Sequence, residues 1–431
     1  MKHNTIVMEL FIKFLSKSNL EVSYNQVIKN RGVAGIDNLK VSELSQYLRK
    51  NWTVLKSELE AGTYIPQPIL GKEIPKRNKG KRLLGIPTVF DRMLQQGVHQ
   101  VLSPIFEPNF SEFSFGFRKG KSAKDAILQA QRFINSGYNF IIDIDLKKFF
   151  DTVNHDFMMT LVHRKIKDVR MLKLIFRFLR SPILISGKLE KRRQGVPQGS
   201  PLSPLLSNIL LNELDQHLES LGLRFVRYAD DFSIFVKDMK TAEEVKQYIA
   251  HFISKRLHLE INEDKSSIVR PQKYNYLGFG FVPSYKKGDR GKYQIVTSPA
   301  SFKELKRKIK NITRKTRPMS LEERIVELNR LMYGWVNYFR PANMTLKLKR
   351  LDSWVRRRLR YCIWKNWKKP NKRMRSYIRM GVPQGRAYSW SRSRMGGWAV
   401  AKSPIMLTTV TLERLQKRNY KSFLNYYTSK R

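Results

Sequence analysis

Residues 223–236 read LRFVRYADDFSIFV, and this stretch decides the fold at the centre of the chain. Two runs rich in β-branched and aromatic residues flank Asp230 and Asp231, which predicts two antiparallel strands joined by a tight turn. Adjacent carboxylates at a turn repel each other, so the arrangement is costly unless a cation lies between them. Asp is also common in ordinary turns, so this pair alone does not establish a metal site.

A second acidic strand end lies about eighty residues earlier. Residues 139–146 (NFIIDIDL) predict a short apolar strand that ends in Asp143 and Asp145, whose spacing places both on one face. Acids that close a buried strand are unusual unless they are paired or bound to metal. Oxygen ligands without nearby His or Cys favour Mg²⁺, with Mn²⁺ as an alternative. The sequence therefore predicts two ions held by the acids at these two strand ends, as in enzymes that activate a hydroxyl and stabilise a leaving pyrophosphate.

Five segments, in chain order, resemble the motifs of reverse transcriptases. Residues 228–231 (YADD) resemble the signature of that family, and Asp145 resembles the metal ligand of its first palm motif. The other segments are 140–151 (FIIDIDLKKFFD), 194–204 (QGVPQGSPLSP), 259–266 (LEINEDKS) and 277–281 (LGFGF). The resemblance implies an α+β right-hand polymerase fold with fingers and an antiparallel palm sheet, followed by an all-α thumb and a small basic module.

The resemblance also implies which residues bind the nucleotide. Lys76 and Arg82 flank a predicted hairpin turn and would bring two cations over the triphosphate. An aromatic side chain that clashes with a ribose 2′-hydroxyl is expected at Phe149 or Phe150, and we prefer Phe149. The remaining nucleotide-binding residues are Gln198, beside the template or primer backbone, and Lys265, near the pyrophosphate. The expected primer- and template-binding residues are Gly199, Tyr228, Leu277, Gly278, Phe279 and Gly280.

The charge of the chain predicts a nucleic-acid partner. The formal net charge is +48, and residues 301–431 alone carry 35 Lys+Arg against 6 Asp+Glu. Phosphates neutralise such an excess and release counterions when they bind. No amphipathic anchor or long apolar run is present, so we expect no membrane partner. A single cysteine, Cys362, excludes an internal disulfide, and the N-terminus lacks secretory features, so we expect a bacterial cytoplasmic, nucleoid-associated protein.

Two further segments narrow the resemblance to proteins encoded by group II introns. Residues 30–37 (NRGVAGID) resemble their N-terminal extension, and 321–339 (LEERIVELNRLMYGWVNYF) resemble their maturase domain. The implied partners are intron RNA, an RNA template with a DNA or RNA primer, target DNA and dNTPs. Because no histidine follows His258, we expect no HNH endonuclease, as in the compact class of these proteins. The expected RNA-binding residues are Asn30, Arg31, Arg356, Arg357, Arg358 and Arg360.

The sequence predicts five domains and leaves several functions open. The expected domains are an N-terminal extension (1–60), fingers (61–135), palm (136–298), thumb or maturase domain (299–368) and a basic DNA-binding module (369–431). One alternative function is a host role in DNA repair or phage defence, and another is a maturase that acts mainly by binding RNA. A third, RNA synthesis on an RNA template, is disfavoured by the Tyr-Ala before the acids and by the paired phenylalanines.

Overall fold

A computed structural model of the chain describes residues 10–75, 80–285 and 287–430. The chain forms two compact units that divide between Arg270 and Pro271. The first unit mixes helices with short strands, and the second is mostly helical. The predicted palm (136–298) crosses this division, and the five-domain organisation stays a prediction.

The first unit contains ten helices and eight strands within its described residues. The helices are α1 (10–15), α2 (Lys17–Asn30), α3 (Leu44–Glu60), α4 (Val89–Phe106), α5 (Ala123–Asn135), α6 (Phe149–Thr152), α7 (His155–Lys165), α8 (Val169–Arg180), α9 (Ser203–Ser220) and α10 (Met239–Leu257). The strands are β1 (Ile69–Pro75), β2 (Lys81–Ile86), β3 (Phe140–Asp145), β4 (Ile183–Ile185), β5 (Lys188–Glu190), β6 (Arg224–Tyr228), β7 (Asp231–Val236) and β8 (Ser267–Val269). Short 3-10 turns precede α3 and follow α4.

The central sheet of the first unit is antiparallel, with strand order β6-β7-β3-β8. The hairpin of β6 and β7 confirms the two strands predicted around the acidic turn. Ile142, Ile144, Phe232 and Ile234 lie in one hydrophobic core with the helices. Helix α9 is buried along most of its length, because its apolar residues surround the helix instead of forming one stripe. The core therefore fixes the strands whose ends carry the acids.

A second sheet, of order β2-β1-β4-β5, contains the predicted fingers hairpin. Strands β1 and β2 are antiparallel and pair from Leu70 with Ile86 to Pro75 with Lys81. The Gly85 N–H donates to the Gln198 carbonyl at 2.9 Å, which ties this hairpin to the 194–204 loop. Both predicted β runs are confirmed, whereas Lys76 lies outside the described residues.

Two successive helices follow the short helix α6. The first, α7, ends at Lys165, and α8 begins at Val169. Asp168 separates the two helices, because its carboxylate accepts the backbone N–H groups of Arg170 and Met171 at 3.0 and 3.2 Å. Asp at this position caps a new helix and stops the previous one from continuing.

The second unit combines a small sheet with a helical array. Its strands are β9 (Asn275–Tyr276), β10 (Phe279–Pro283) and β11 (Tyr293–Thr297), in the order β11-β10-β9. Its helices are α11 (Pro299–Ile312), α12 (Leu321–Phe339), α13 (Thr345–Asn366), α14 (Pro370–Arg379), α15 (Gln384–Ser391), α16 (Gly397–Val400), α17 (Pro404–Thr409), α18 (Leu412–Lys417) and α19 (Phe423–Ser429). No helix among the described residues is long and apolar enough to cross a membrane.

The small sheet packs on the helices of its own unit. Leu277 and Gly278 both have positive φ, at 50° and 83°, so they form a tight turn between β9 and β10. The Tyr338 hydroxyl donates to the Leu277 carbonyl at 2.9 Å, and Phe279 lies 4.9 Å from Phe339 between ring centres. The segment expected to bind the primer therefore belongs to the mainly helical unit.

Candidate active site

The strand register brings acids from two distant stretches together. Asp145, the last residue of β3, is the direct partner of Asp231, the first residue of β7. Directly opposed residues of antiparallel strands have Cα atoms roughly 4.5–5.5 Å apart. Asp230 precedes Asp231 in the turn, where Ala229 has a φ of 59°. The three acids named from the sequence therefore lie together where two neighbouring central strands of one sheet meet the acidic turn.

These carboxylates repel one another. The pKa of Asp231 is raised to about 7. Burial is the largest cause, followed by the negative charges of Asp230, Asp145 and Asp143, and the positive charge of Lys265 opposes the rise. Burial also raises the pKa of Asp143 to about 6, although the Ser233 hydroxyl donates to its carboxylate at 2.9 Å. A bound cation would relieve this repulsion and favour the charged carboxylates.

Polar groups from the segment after α10 hold Asp145 in place. Its Oδ2 accepts the Asn262 side-chain amide at 3.1 Å and the Lys265 ammonium at 3.0 Å. Its backbone N–H donates to the Ser266 hydroxyl at 3.1 Å. The sequence pointed to Lys265 but not to Asn262 or Ser266, although both lie in the LEINEDKS motif. Lys265 thus contacts Asp145 directly in this structure.

The acids could hold a divalent cation only together with other ligands. Among the described residues, no group of three or more His, Cys, Asp or Glu side chains is placed to hold a metal ion by itself. Mg²⁺ usually takes one or two carboxylates together with waters and substrate phosphates. Asp145 and Asp231 are paired across the sheet and Asp230 is adjacent, and Lys265 supplies a positive charge to Asp145. These residues could hold the metal, with waters or the substrate completing its coordination.

A cleft of about 500 Å³ in the first unit contains several of the predicted residues. It is lined by Asn30, Arg82, Phe150, Gln198 and Gly199, among others. Arg82 is close enough to Asp230 for its positive charge to oppose the raised pKa of that carboxyl group, which results mainly from burial. One residue of the cleft thus acts electrostatically on Asp230. Lys76, the other cation expected over the phosphates, lies outside the described residues.

The two paired phenylalanines occupy different environments. Phe149 is only 2% exposed and belongs to the hydrophobic core. Phe150 is half-buried, lines the cleft and packs edge-on against Phe149 with ring centres 5.1 Å apart. The burial of Phe149 disfavours the preference for that residue as the one that meets the sugar, and the choice between the two rings stays a prediction.

The 194–204 loop is fastened to the backbone around Phe150. The Val196 N–H donates to the Phe150 carbonyl at 2.7 Å, and the Gly195 N–H donates to the Val153 carbonyl at the same distance. Gly199 has a φ of 119°, and a Cβ there would lie 2.9 Å from the Gly85 carbonyl oxygen. Only glycine tolerates both this positive φ and the short distance to Gly85. The loop therefore runs close to β2, and its residue Gln198 borders the cleft.

Sequence analysis missed one aromatic residue of the cleft. Phe117 is 52% exposed, has a φ of 59° and lines the same cleft as Phe150. A bulky residue with positive φ is rare and is often retained where it serves a site. The sequence offered no signal beyond the glycine on its N-terminal side.

The arginines expected to bind RNA divide into two kinds. Arg360 is buried and donates to the Val410 carbonyl at 2.9 Å, and Arg358 donates to the hydroxyl and carbonyl of Thr313 at 2.6 and 2.9 Å. Both side chains make hydrogen bonds within the fold, and their role in RNA binding stays a prediction. Arg356 and Arg357 are half-buried, and the Arg357 guanidinium lies 4.2 Å from the centre of the Trp398 ring.

The remaining predicted residues are found in turns and strand ends. Asn30 and Arg31 are exposed at the end of α2, where Arg31 has a φ of 48°. Tyr228 is half-buried at the end of β6, directly before the acidic turn. Leu277 and Gly278 are half-buried in their turn, while Phe279 and Gly280 are buried in β10.

Paired antiparallel strands that carry three acids, beside a cleft with aromatic and basic residues, define a metal-dependent nucleotide polymerase of the palm type. The family model for reverse transcriptase (RNA-dependent DNA polymerase) matches residues 74–281, and that for the group II intron maturase-specific domain matches residues 302–379. The chain belongs to the reverse transcriptase family, in the branch that carries a group II intron maturase domain. RNA-directed DNA synthesis with divalent metal ions is the activity of this family.

Curated relatives agree with both matches. Protein YkfC of Escherichia coli (strain K12) is 32% identical over 278 residues, which are 56% of this chain and 73% of that protein. Group II intron-encoded protein LtrA of Lactococcus lactis subsp. cremoris is 29% identical over 60% of this chain and 54% of that protein. A putative COX1/OXI3 intron 2 protein of Saccharomyces cerevisiae is 30% identical over 47% of this chain and 23% of that protein. The chain thus spans about half the length of LtrA.

Proposed function

We propose that this chain copies RNA into DNA from dNTPs with two Mg²⁺ ions, with Mn²⁺ as an alternative, held by Asp145, Asp230 and Asp231. The observation that carries the proposal is the direct pairing of Asp145 with Asp231 across the central sheet. When bound, the ions activate the primer 3′-hydroxyl and neutralise the leaving pyrophosphate. The strands hold the acids in advance, so little reorganisation is needed when the substrate arrives.

The chain's own residues bind and orient the nucleotide. Arg82, exposed on β2 and close enough to act on Asp230, binds triphosphate oxygens bidentately, with Lys76 as a second cation. Lys265, which donates to Asp145 in the free protein, neutralises pyrophosphate oxygens as they leave. Gln198 and Gly199 border the cleft and contact the nucleotide and the template or primer backbone. Tyr228 and residues 277–280 contact the primer.

Phe150 selects the sugar in this proposal. Its ring lines the cleft, while the core residue Phe149 supports it from behind. A ribose 2′-hydroxyl would clash with a fixed aromatic ring, and a deoxyribose would not. The chain therefore incorporates deoxynucleotides in preference to ribonucleotides.

The second proposed role is to bind group II intron RNA and thereby assist splicing and retrohoming. Residues 302–379 match the maturase-specific domain, and residues 301–431 carry a net charge of +29. Asn30, Arg31, Arg356 and Arg357 are the proposed RNA contacts, and target DNA is a further partner of the basic C-terminal part. We place this activity in the bacterial cytoplasm, near the nucleoid. The paired acids favour an active polymerase over a maturase that only binds RNA.

Primer extension tests the polymerase directly. The purified chain is incubated with an RNA template, a DNA primer, dNTPs and Mg²⁺, and parallel reactions contain NTPs or excess EDTA. We expect primer-dependent DNA products with dNTPs alone and none with EDTA. A chain that binds the template–primer but extends it with none of these nucleotides would refute the proposed function.

A further inference from the structure

Behind the acidic turn, one arginine is completely removed from solvent. Arg227 lies on β6, and its surface is 0% exposed. Its guanidinium donates to both carboxylate oxygens of Asp215, at 2.7 and 2.5 Å, and to the Asn208 side-chain oxygen at 3.0 Å. Asp215 and Asn208 are buried on the same helix, α9. The helix at the back of the sheet thereby fixes the plane of the guanidinium.

A fourth hydrogen bond from Arg227 reaches the turn itself. Its Nη1 donates to the Ala229 carbonyl at 3.0 Å. That oxygen shares a peptide plane with the N–H of Asp230, so holding it sets the orientation of the backbone that enters the acidic pair. Ala229 has a φ of 59°, a left-handed conformation that an L-residue adopts only with outside support.

A second segment closes the other side of the turn. A Cβ on Gly116 would lie 2.2 Å from the Ala229 nitrogen, so only glycine allows this approach. The Gly116 carbonyl accepts the Asn208 side-chain amide at 2.9 Å, and the Phe115 N–H donates to the Arg227 carbonyl at 2.8 Å. Asn208 therefore joins the guanidinium to the segment that packs against the turn.

Stability alone does not account for a buried guanidinium at this position. A buried ion pair can often be replaced by apolar residues of similar volume without loss of stability. Only the planar fork of arginine can bind Asp215 through two bonds and still donate to the Ala229 carbonyl. The guanidinium thus acts on the turn through its geometry.

We propose that Arg227 is a positioning residue that holds turn 229–231 in the conformation that presents Asp230 and Asp231 to a divalent ion, with Asp215 and Asn208 fixing its guanidinium. This inference rests on the proposed polymerase function. Arg227 touches neither the substrate nor the metal, so its effect passes through the Ala229 carbonyl and the peptide that follows it.

The test removes the ion pair without leaving a buried charge. The double variant Arg227→Met with Asp215→Leu keeps the apolar volume but loses the bond to Ala229. We expect a melting temperature within about 5 °C of the wild-type value and an unchanged template–primer Kd. We expect kcat to fall about 10- to 100-fold with little change in the dNTP KM. Mn²⁺ affinity, followed by electron paramagnetic resonance without substrate, should weaken about tenfold or more.

An exposed ion pair of the same unit provides the matched control. Arg164 and Glu213 pair at 2.9 Å on the surface, and the double variant Arg164→Met with Glu213→Leu should match the wild type in kcat and Mn²⁺ affinity. A folded Arg227→Met/Asp215→Leu protein with wild-type kcat and Mn²⁺ affinity would overturn the proposal. If that variant does not fold, Arg227→Lys decides, because lysine lacks the planar fork that binds Asp215 through two bonds while donating to Asn208 and Ala229. Arg227→Lys should show the same falls in kcat and in Mn²⁺ affinity, and wild-type values of both would overturn the proposal.

The two proposals fail in different ways. If the wild-type chain extends no primer, the polymerase function fails, and the Mn²⁺ titration still compares wild type with variant. If the wild type extends primers and the variants do so equally well with equal Mn²⁺ affinity, only the role of Arg227 fails.

Discussion

At the scale of single residues, neighbouring phenylalanines with the same chemistry have opposite environments. Phe149 lies in the core, whereas Phe150 lines the cleft beside Gln198. The resemblance to reverse transcriptases restricted the expected sugar-contacting residue to this pair. It could not decide between the two, since the short helix α6 and the αL residue Lys148 before it set which ring faces the core.

Replacement of Phe150 tests that assignment. Phe150→Ala should raise ribonucleotide incorporation relative to deoxynucleotide incorporation by about 10- to 100-fold, because the clash with the 2′-hydroxyl is removed. Single-nucleotide kcat/KM values for dNTP and NTP measure the change. Phe149→Leu is the control: it should lower the free energy of unfolding by about 1 kcal/mol and leave sugar selectivity unchanged. Altered selectivity in Phe149→Leu alone would reverse the assignment.

At the scale of secondary-structure elements, local patterns succeeded and long-range contacts were missed. The β6–β7 hairpin follows from the β-branched and aromatic runs on both sides of the acidic turn. The burial of Arg360 and the bonds of Arg358 to Thr313 did not follow. These depend on partners that the fold supplies, including a carbonyl 50 residues away for Arg360. No pattern within a single segment reports such a partner.

Asp352 illustrates a long-range cap in the second unit. This buried side chain on α13 accepts the Ser422 hydroxyl at 2.6 Å and the N–H groups of Phe423 and Leu424 at 2.9 Å each. It also accepts the Tyr420 hydroxyl at 3.2 Å. The carboxylate therefore fixes the beginning of α19 against α13, so the C-terminal helix is part of the same core as the maturase-type helices.

Loss of this cap should destabilise the second unit. Asp352→Ala leaves buried donors without a partner, which should lower the free energy of unfolding by about 2–3 kcal/mol. Urea denaturation followed by tryptophan fluorescence measures the loss, since six of the seven tryptophans lie beyond residue 330. Glu413→Ala, at an exposed acid of α18, is the control and should change stability by less than about 0.5 kcal/mol. Equal stability of the two variants would show that the cap contributes nothing.

At the scale of the whole molecule, charge determines how the chain meets its partners. The net charge of +48 is too large to be balanced by internal pairing, and most of the ion pairs among the described residues are exposed or half-exposed. Composition alone predicted a polyanionic partner. It could not separate arginines that are free to bind phosphate from those that cap helices, because that distinction requires the packed structure.

RNA affinity should therefore fall steeply with salt. The slope of log Kd against log salt concentration should be several units, at roughly 0.7–0.9 per phosphate contacted. Filter binding of a structured RNA between low and physiological salt measures it. Arg356→Gln with Arg357→Gln should reduce the slope by about 1–2 units. The control is Arg414→Gln, which removes donors to backbone carbonyls and should leave the slope unchanged. A flat salt response would contradict the electrostatic account.

The rate of primer extension by Asp230→Asn with Asp231→Asn tests the catalytic account most directly. These substitutions keep the shape of the turn but remove the charges that the metal requires. The account predicts a fall of about three orders of magnitude in extension rate on an RNA template, because the loss of metal stabilisation costs several kcal/mol, with template–primer affinity nearly unchanged. Extension at the wild-type rate by the doubly substituted chain would contradict it.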